Sequence, residues 1–276
     1  MDEIKQLRTW VSSTLESYPS ESLQYNEDEF WMIRSLYEYI EYYAHTRSLR
    51  NTLLALPLAR GLHNGTYRKF TMTRDGSAHR IPYVMHCLRV CTILMHMNIP
   101  LSWEDQDILL ASALCHDMIE DIPFEQKGLE LIHIYHLDPR VYETVLLVSK
   151  RNDFTPEEQA AHVQGIQSHP LALLVKLADR SHNVEDLYNR SPRKVREYIG
   201  ETRDMFLPMC SYGFDHYPHL VKSIEILQDK INCLTRVSEI LMERCETREQ
   251  QLKTRLQTLE EENTSLRSVY QSLWNH

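Results

Sequence analysis

Apolar side chains recur at helical spacing along most of the chain. Phe30, Trp31, Ile33, Leu36, Tyr37 and Ile40 form one stripe behind Asn26-Glu-Asp-Glu, a cap followed by an acidic first turn. Two further helices are predicted near 48–60 and 82–98. Between them, Arg60-Gly-Leu-His-Asn-Gly-Thr-Tyr-Arg-Lys and a polar stretch to Arg80 read as the longest loop. Ser102-Trp-Glu-Asp has the pattern of a capping box and opens a helix predicted to run through Asp121. Asp138-Pro139 and Thr155-Pro156 each put a cap before a proline suited to the first helical position, and Pro170 and Ser191-Pro192 open two more helices. No strand-like alternation of useful length interrupts the series. The pattern predicts an all-α body.

From Pro218 onward the period changes. Leu252, Leu259, Leu266 and Leu273 recur every seven residues, with Leu256, Asn263 and Tyr270 at the other seam position. In a parallel pair, Arg255 faces Glu260 and Glu262 faces Arg267 of the partner, and a seam asparagine such as Asn263 fixes register. The expectation is a homodimer through a C-terminal coiled coil; the alternative is a helix that folds back on its own domain. The chain thus divides into an N-terminal helical extension (1–50), a multi-helix domain (51–215) and a long helical tail (216–276).

Composition narrows the picture. Only 7 glycines occur in 276 residues, well under the roughly 7% of an average protein. Sheet turns and glycine-rich phosphate loops need more, which again favours helices. The net charge of −9 argues against broad nucleic-acid binding, although it leaves room for a local anion pocket. The six cysteines form no Cys-x-x-Cys pair, and no apolar run approaches the length that spans a bilayer. No signal peptide opens the sequence. A cytoplasmic protein with free thiols is expected, without a nucleic-acid or membrane partner.

The strongest chemical signal is Cys115-His-Asp-Met-Ile-Glu-Asp. On one helix His116 and Glu120 are a turn apart, as are Asp117 and Asp121, after earlier turns that are almost wholly apolar. Burying these groups unpaired is costly, and a metal ion is the simplest way to offset that cost. His86 sits on an otherwise apolar helix, and Val175-Lys-Leu-Ala-Asp-Arg-Ser-His-Asn puts Asp179 and Asn183 on one face. Taken alone, His86 reads as a core histidine and Lys176/Asp179/Arg180 as a surface ion pair.

Together, His86, His116-Asp117 and Asp179 resemble the H…HD…D pattern of HD-superfamily metal-dependent phosphohydrolases. The finer resemblance is to the hydrolase domain of RelA/SpoT-type alarmone enzymes and to the small alarmone hydrolases. It rests on His63-Asn-Gly-Thr-Tyr-Arg-Lys, His116-Asp-Met-Ile-Glu-Asp, Lys176-Leu-Ala-Asp-Arg-Ser-His-Asn and Glu201-Thr-Arg-Asp-Met-Phe-Leu-Pro, in order over about residues 50–215. The resemblance implies removal of the 3′-diphosphate of guanosine tetra- or pentaphosphate with one divalent metal, usually manganese, with iron as another fit. It implies His86, His116, Asp117 and Asp179 as ligands, and Glu120 and Asp121 as the groups that orient water and move its proton. Asn183 would lie beside the ribose and phosphates, Arg68 and Lys69 around the guanine, and His63 and His182 in support.

Two departures stand out. Phe70 to Ile81 form a longer loop than the family's R-K-S-G-E-P-Y, and Asp186 stands where the family commonly has threonine near the base. They motivate a second reading, an HD hydrolase of another phosphorylated nucleotide. A third, a dimeric regulatory protein without catalysis, would call for a missing ligand or acid, and none is missing.

Overall fold

A computed structural model describes residues 27–63, 66–68, 71–72, 78–79, 81–121, 136–150, 154–185, 187 and 190–274. Its helices begin where the chain supplies caps. Ser102 accepts from the amide of Asp105 at the start of α4 (Trp103–Cys115), and Asp138 from that of Arg140 before α6 (Pro139–Val148). A full capping box between Thr155 and Glu158 opens α7 (Pro156–Gln167). His169 caps α8 (Pro170–Asn183) and Ser191 caps α9 (Pro192–Glu201). The other helices are α1 (Glu27–Arg47), α2 (Arg50–Leu62), α3 (Val84–His96), the single turn α5 (Met118–Asp121), α10 (Leu207–His216) and α11 (Val221–Trp274). A π-helical segment, Thr202–Phe206, joins α9 to α10.

One cap comes from far along the sequence. Leu49 gives α2 no side-chain cap. Instead the buried carboxylate of Asp107, on α4, accepts from the backbone amides of Asn51 and Thr52, each at 2.8 Å. This satisfies orphan donors and sets a negative charge at a helix N-terminus, locking α2 to α4. Against α4 also pack α3, α6 and α8, so α4 and α8 form the centre of an all-α body. Ile33, Ile40 and Ala44 of α1 join the same core, as do Ile224, Leu227 and Ile231 of α11. A smaller cluster, Val184, Leu187, Val195 and Ile199, receives Leu234 and Met242 of α11.

Two expectations need correction. The helix from Trp103 ends at Cys115, and His116 and Asp117 lie in a turn before α5. The His116 ring takes the Ala113 carbonyl at 2.7 Å, so a side chain occupies an acceptor near the helix end. The loop after Arg68 also carries a small hairpin, β1 (Thr71–Met72) against β2 (Ala78–His79). Its stem is held by Arg68 N to Ile81 O and Tyr83 N to Thr66 O, both 2.9 Å. A hairpin this short falls below the length at which alternation is readable. The described residues include no helix long and apolar enough to cross a membrane.

Candidate metal centre and cleft

His86 comes from the first turn of α3, His116 and Asp117 from the α4–α5 turn, and Asp179 from the third turn of α8. Their donor atoms converge. His86 Nε2 lies 3.1 Å from His116 Nε2, 3.3 Å from Asp117 Oδ2 and 3.1 Å from Asp179 Oδ1. His116 Nε2 lies 3.2 Å from Asp117 Oδ2 and 3.6 Å from Asp179 Oδ1. Ligands at about 2.0–2.2 Å from a shared ion sit about 3.0–3.6 Å from one another. The donor set therefore fits one divalent cation, with two imidazoles and two carboxylates suited to manganese, iron or zinc. His86, His116 and Asp179 offer ligand atoms all within 4.8 Å of one another. Cys87, His116 and Asp117 also offer ligand atoms within 4.8 Å of one another.

Neighbours fix how each ligand is presented. His116 Nδ1 donates to Ala113 O, so in the neutral ring the lone pair is on Nε2, toward the cluster. The His86 ring is set by a longer chain. Arg68 can only donate, and its Nη1 lies 3.1 Å from His182 Nδ1, which must therefore accept. The same His182 Nδ1 lies 2.7 Å from His86 Nδ1, so the proton of that contact belongs to His86. Its Nε2 is again free for an ion. Arg68 also donates to Asn183 Oδ1, while Asn183 Nδ2 donates to Asp179 Oδ1 at 2.6 Å. Tyr83 OH donates to Asp117 Oδ2 at 2.7 Å.

The electrostatics follow from burial and charge. Burial alone would raise the two aspartates, yet His116 and His86 beside them hold Asp117 and Asp179 well below the usual carboxylate range. Burial alone would lower His116, yet both aspartates lift it well above the ordinary imidazole value. His182 is pushed down to about 2, first by burial and then by His86 and Arg68. His63 falls to about 4, mainly through burial.

His86, Asp117 and Asp179 line a cleft of about 570 Å³, a size that suits a nucleotide-sized ligand. Arg68, Lys150, Lys176 and Arg190 line it, with Tyr198 and Phe206 on the wall. Positive potential is also felt at His162, whose pKa falls to about 4 through burial, Lys176 and Lys150. Arg180 is a structural member of the wall. Its guanidinium lies between the rings of Tyr198 and Phe206, 4.6 and 4.3 Å from their centroids. It donates to Glu201 Oε2, Tyr198 O and Thr202 Oγ1, which ties α8 to the Glu201-Thr202 segment.

The six sequence-predicted residues His86, His116, Asp117, Asp179, Asn183 and Arg68 are thus brought together. Lys69 and Asp186 lie outside the described residues, as do the side chains of Glu120 and Asp121 on α5. Sequence reasoning missed Tyr83, although it lies one helical turn before His86. Lys150, His162 and Arg190 were also missed, because they sit on separate elements and share no local pattern. Lys176 was read only as part of an ion pair; its Nζ lies 3.6 Å from Asp179 Oδ2 and donates to Val148 O at 3.1 Å.

Known proteins have similar sequences. The chain is 27% identical over 219 residues, 72% of its length, to a guanosine-3′,5′-bis(diphosphate) 3′-pyrophosphohydrolase of Haemophilus influenzae, of which it covers 29%. It is 28% identical over 188 residues, 65% of its length, to the bifunctional (p)ppGpp synthase/hydrolase SpoT of Escherichia coli, covering 24% of that protein. A putative GTP diphosphokinase of Arabidopsis thaliana chloroplasts is 27% identical over 180 residues, 61% of this chain and 19% of that one. The chain therefore spans less than a third of the length of these relatives. Residues 83–184, which hold His86, His116, Asp117 and Asp179, match the HD domain family. The resemblance read from the sequence holds: residues 83–184 match the HD domain family, in a chain similar to alarmone hydrolases.

Proposed function

We propose that this protein is a divalent-metal hydrolase that removes the 3′-diphosphate of guanosine tetra- or pentaphosphate, releasing GDP or GTP and pyrophosphate. Manganese is the preferred metal in this reading and the cytoplasm the site of action. The observation that carries it is the meeting of two imidazoles and two carboxylates at the floor of a cleft lined by Arg68, Lys150, Lys176 and Arg190. The alarmone names of the similar proteins supply the substrate class.

His86, His116, Asp117 and Asp179 would hold the ion. When bound, a divalent cation acidifies water toward neutral pH and withdraws charge from the phosphate. The protein's own groups do the rest. Water attacks the phosphorus attached to ribose O3′, the P–O3′ bond breaks, and the oxygen leaving with the ribose takes a proton. Glu120 and Asp121, in the turn after Asp117, are assigned the removal and return of that proton. Arg68 and Asn183 orient the nucleoside and its phosphates, and Lys176 and Arg190 offset the charge of the departing pyrophosphate. Lys69 and Asp186 complete base recognition in this reading. Self-association into a homodimer through α11 accompanies it but does not depend on it.

A second reading keeps the metal centre and changes the nucleotide. The hairpin that follows Arg68 supports it, because it alters the rim where a base would lie. One experiment separates the two. Metal-stripped protein is given manganese and a panel of phosphorylated nucleotides, with pyrophosphate and orthophosphate followed separately. Pyrophosphate release from guanosine tetraphosphate, abolished in Asp179→Ala and Glu120→Ala, is the expected result. Orthophosphate release from a different nucleotide moves the assignment to the second reading. Metal binding without turnover on any member of the panel overturns both.

A further inference from the structure

The helix α11 runs for 54 residues, and its two halves are in different surroundings. Ile224, Ile231 and Ser238 are buried against the domain, spaced by seven. The same phase continues through Cys245 to Leu252, Leu259, Leu266 and Leu273. These four leucines are 45–71% exposed, and Leu256 and Tyr270 are 58% and 68% exposed. Among the described residues, the last ion pair from the domain to the helix is Arg196 to Glu246. Beyond it, the described residues of the domain do not cover the helix, so the fold-back alternative is not what the described structure adopts.

The change comes where the helix leaves the domain. From Thr247 to Leu273 every described side chain but that of Thr258 is exposed, whichever face it stands on. The leucine stripe therefore stands on a helix that tertiary packing no longer supports, although packing of an apolar face supplies most helical stability in proteins.

We infer that this stripe is the docking surface for a second copy of the chain, paired parallel and in register over Leu252–Leu273. Charge selects the arrangement. In a parallel pair Arg255 faces the partner's Glu260 and Glu262 faces the partner's Arg267, and symmetry doubles both contacts. Asn263 meets its own copy, so that each amide is hydrogen-bonded in the seam. An antiparallel pair would set Asn263 against leucine and leave the amide unpaired. The seam has a lower boundary too. Glu249 occupies the next seam position and Arg248 would face the partner's Lys253, so pairing weakens below Leu252.

The test uses the full chain and two charge-reversed variants. One carries Glu260→Arg and Arg267→Glu, the other Arg255→Glu and Glu262→Arg. Sedimentation should give wild type at twice the 32.7 kDa chain mass. Each variant alone should shift to the single-chain mass, with unchanged circular dichroism from the domain. An equimolar mixture should regain the doubled mass, since every facing pair is then of opposite sign. Wild type that stays at the single-chain mass at all concentrations overturns the interface. A mixture that associates no better than its components overturns the parallel register. Leu259→Asp with Leu266→Asp should abolish association in either orientation, and a doubled mass in that variant places the interface elsewhere.

Discussion

The phenol of Tyr83 donates to Oδ2 of Asp117 at 2.7 Å while its ring stacks on that of His63, with centroids 4.9 Å apart. One side chain therefore orients a carboxylate of the candidate metal centre and is itself held by a buried histidine. Neither ring nitrogen of His63 has a hydrogen-bond partner among the described residues. Tyr83→Phe keeps the stack and removes only the donor. Manganese affinity, measured by titration calorimetry at fixed pH, should fall about 10–100-fold, with the metal-free melting temperature little changed. Unaltered affinity would show that Asp117 needs no such support.

Arg68 reaches two candidate ligands through intermediaries, His86 by way of His182 and Asp179 by way of Asn183. Lysine at this position can reach one of these partners but lacks the planar fork that reaches both. Arg68→Lys should therefore weaken metal binding as well as raise KM for the nucleotide. His182→Phe cuts only the His86 branch. It should lower metal affinity by about 10-fold or more while leaving KM near wild type. A change in KM alone for both variants would confine Arg68 to nucleotide contact.

Much of the fold was legible because helix starts are written locally. Ser102, Asp138-Pro139, Thr155-Pro156 and Ser191-Pro192 each cap the helix they introduce. The cap of α2 was not legible, since Asp107 supplies it from a residue more than fifty positions away. The break after Cys115 was hidden for a related reason. Nothing in the residue types there disfavours a helix, and the turn is tied to a side-chain contact, His116 to Ala113. The candidate ligand set was legible only through resemblance. His86, the His116-Asp117 pair and Asp179 come from three elements, and no periodicity links them. The basic wall of Lys150, Lys176 and Arg190 depends on tertiary assembly in the same way.

Gly213 marks a close approach. A Cβ there would lie 2.5 Å from Ile224 Cδ1 and 2.9 Å from Leu173 Cδ2, so α10 contacts both α8 and α11 at this position. Two branched core side chains would have to move. Gly213→Ala should destabilise the protein by about 1–3 kcal/mol, despite the better helix propensity of alanine. Chemical denaturation of wild type and variant checks this, and a stabilised variant would mean that Ile224 and Leu173 can give way freely.

The metal-free protein should be most stable near pH 6.5 and lose stability on both sides. His63 and His162 are depressed to about 4 and His182 to about 2, each first through burial. Between pH 6.5 and 4 the unfolded chain takes up protons that these folded rings refuse, so stability falls as pH falls. For the two buried rings, His63 and His182, the slope is about 1.4 kcal/mol per pH unit for each proton refused. His162 is more exposed and contributes less. His116 acts in the opposite direction. Its folded value is raised by Asp117 and Asp179, against the pull of burial, so its contribution is complete below 6.5 and is lost as pH rises through the folded value. The same aspartates keep their contribution above their unfolded value of 3.8 and lose it only in stronger acid. Manganese acts on both limbs. It needs His116 neutral, so it displaces the proton whose loss weakens the metal-free protein, and its binding tightens as pH rises, which sustains the alkaline side and steepens the fall toward acid. Melting curves from pH 4 to 9, with chelator and with manganese, should show a dome in the first case and a sustained alkaline plateau in the second. His63→Phe should flatten the acid limb by one proton's share and leave the alkaline limb unchanged. An acid limb as steep as wild type would remove His63 from this account.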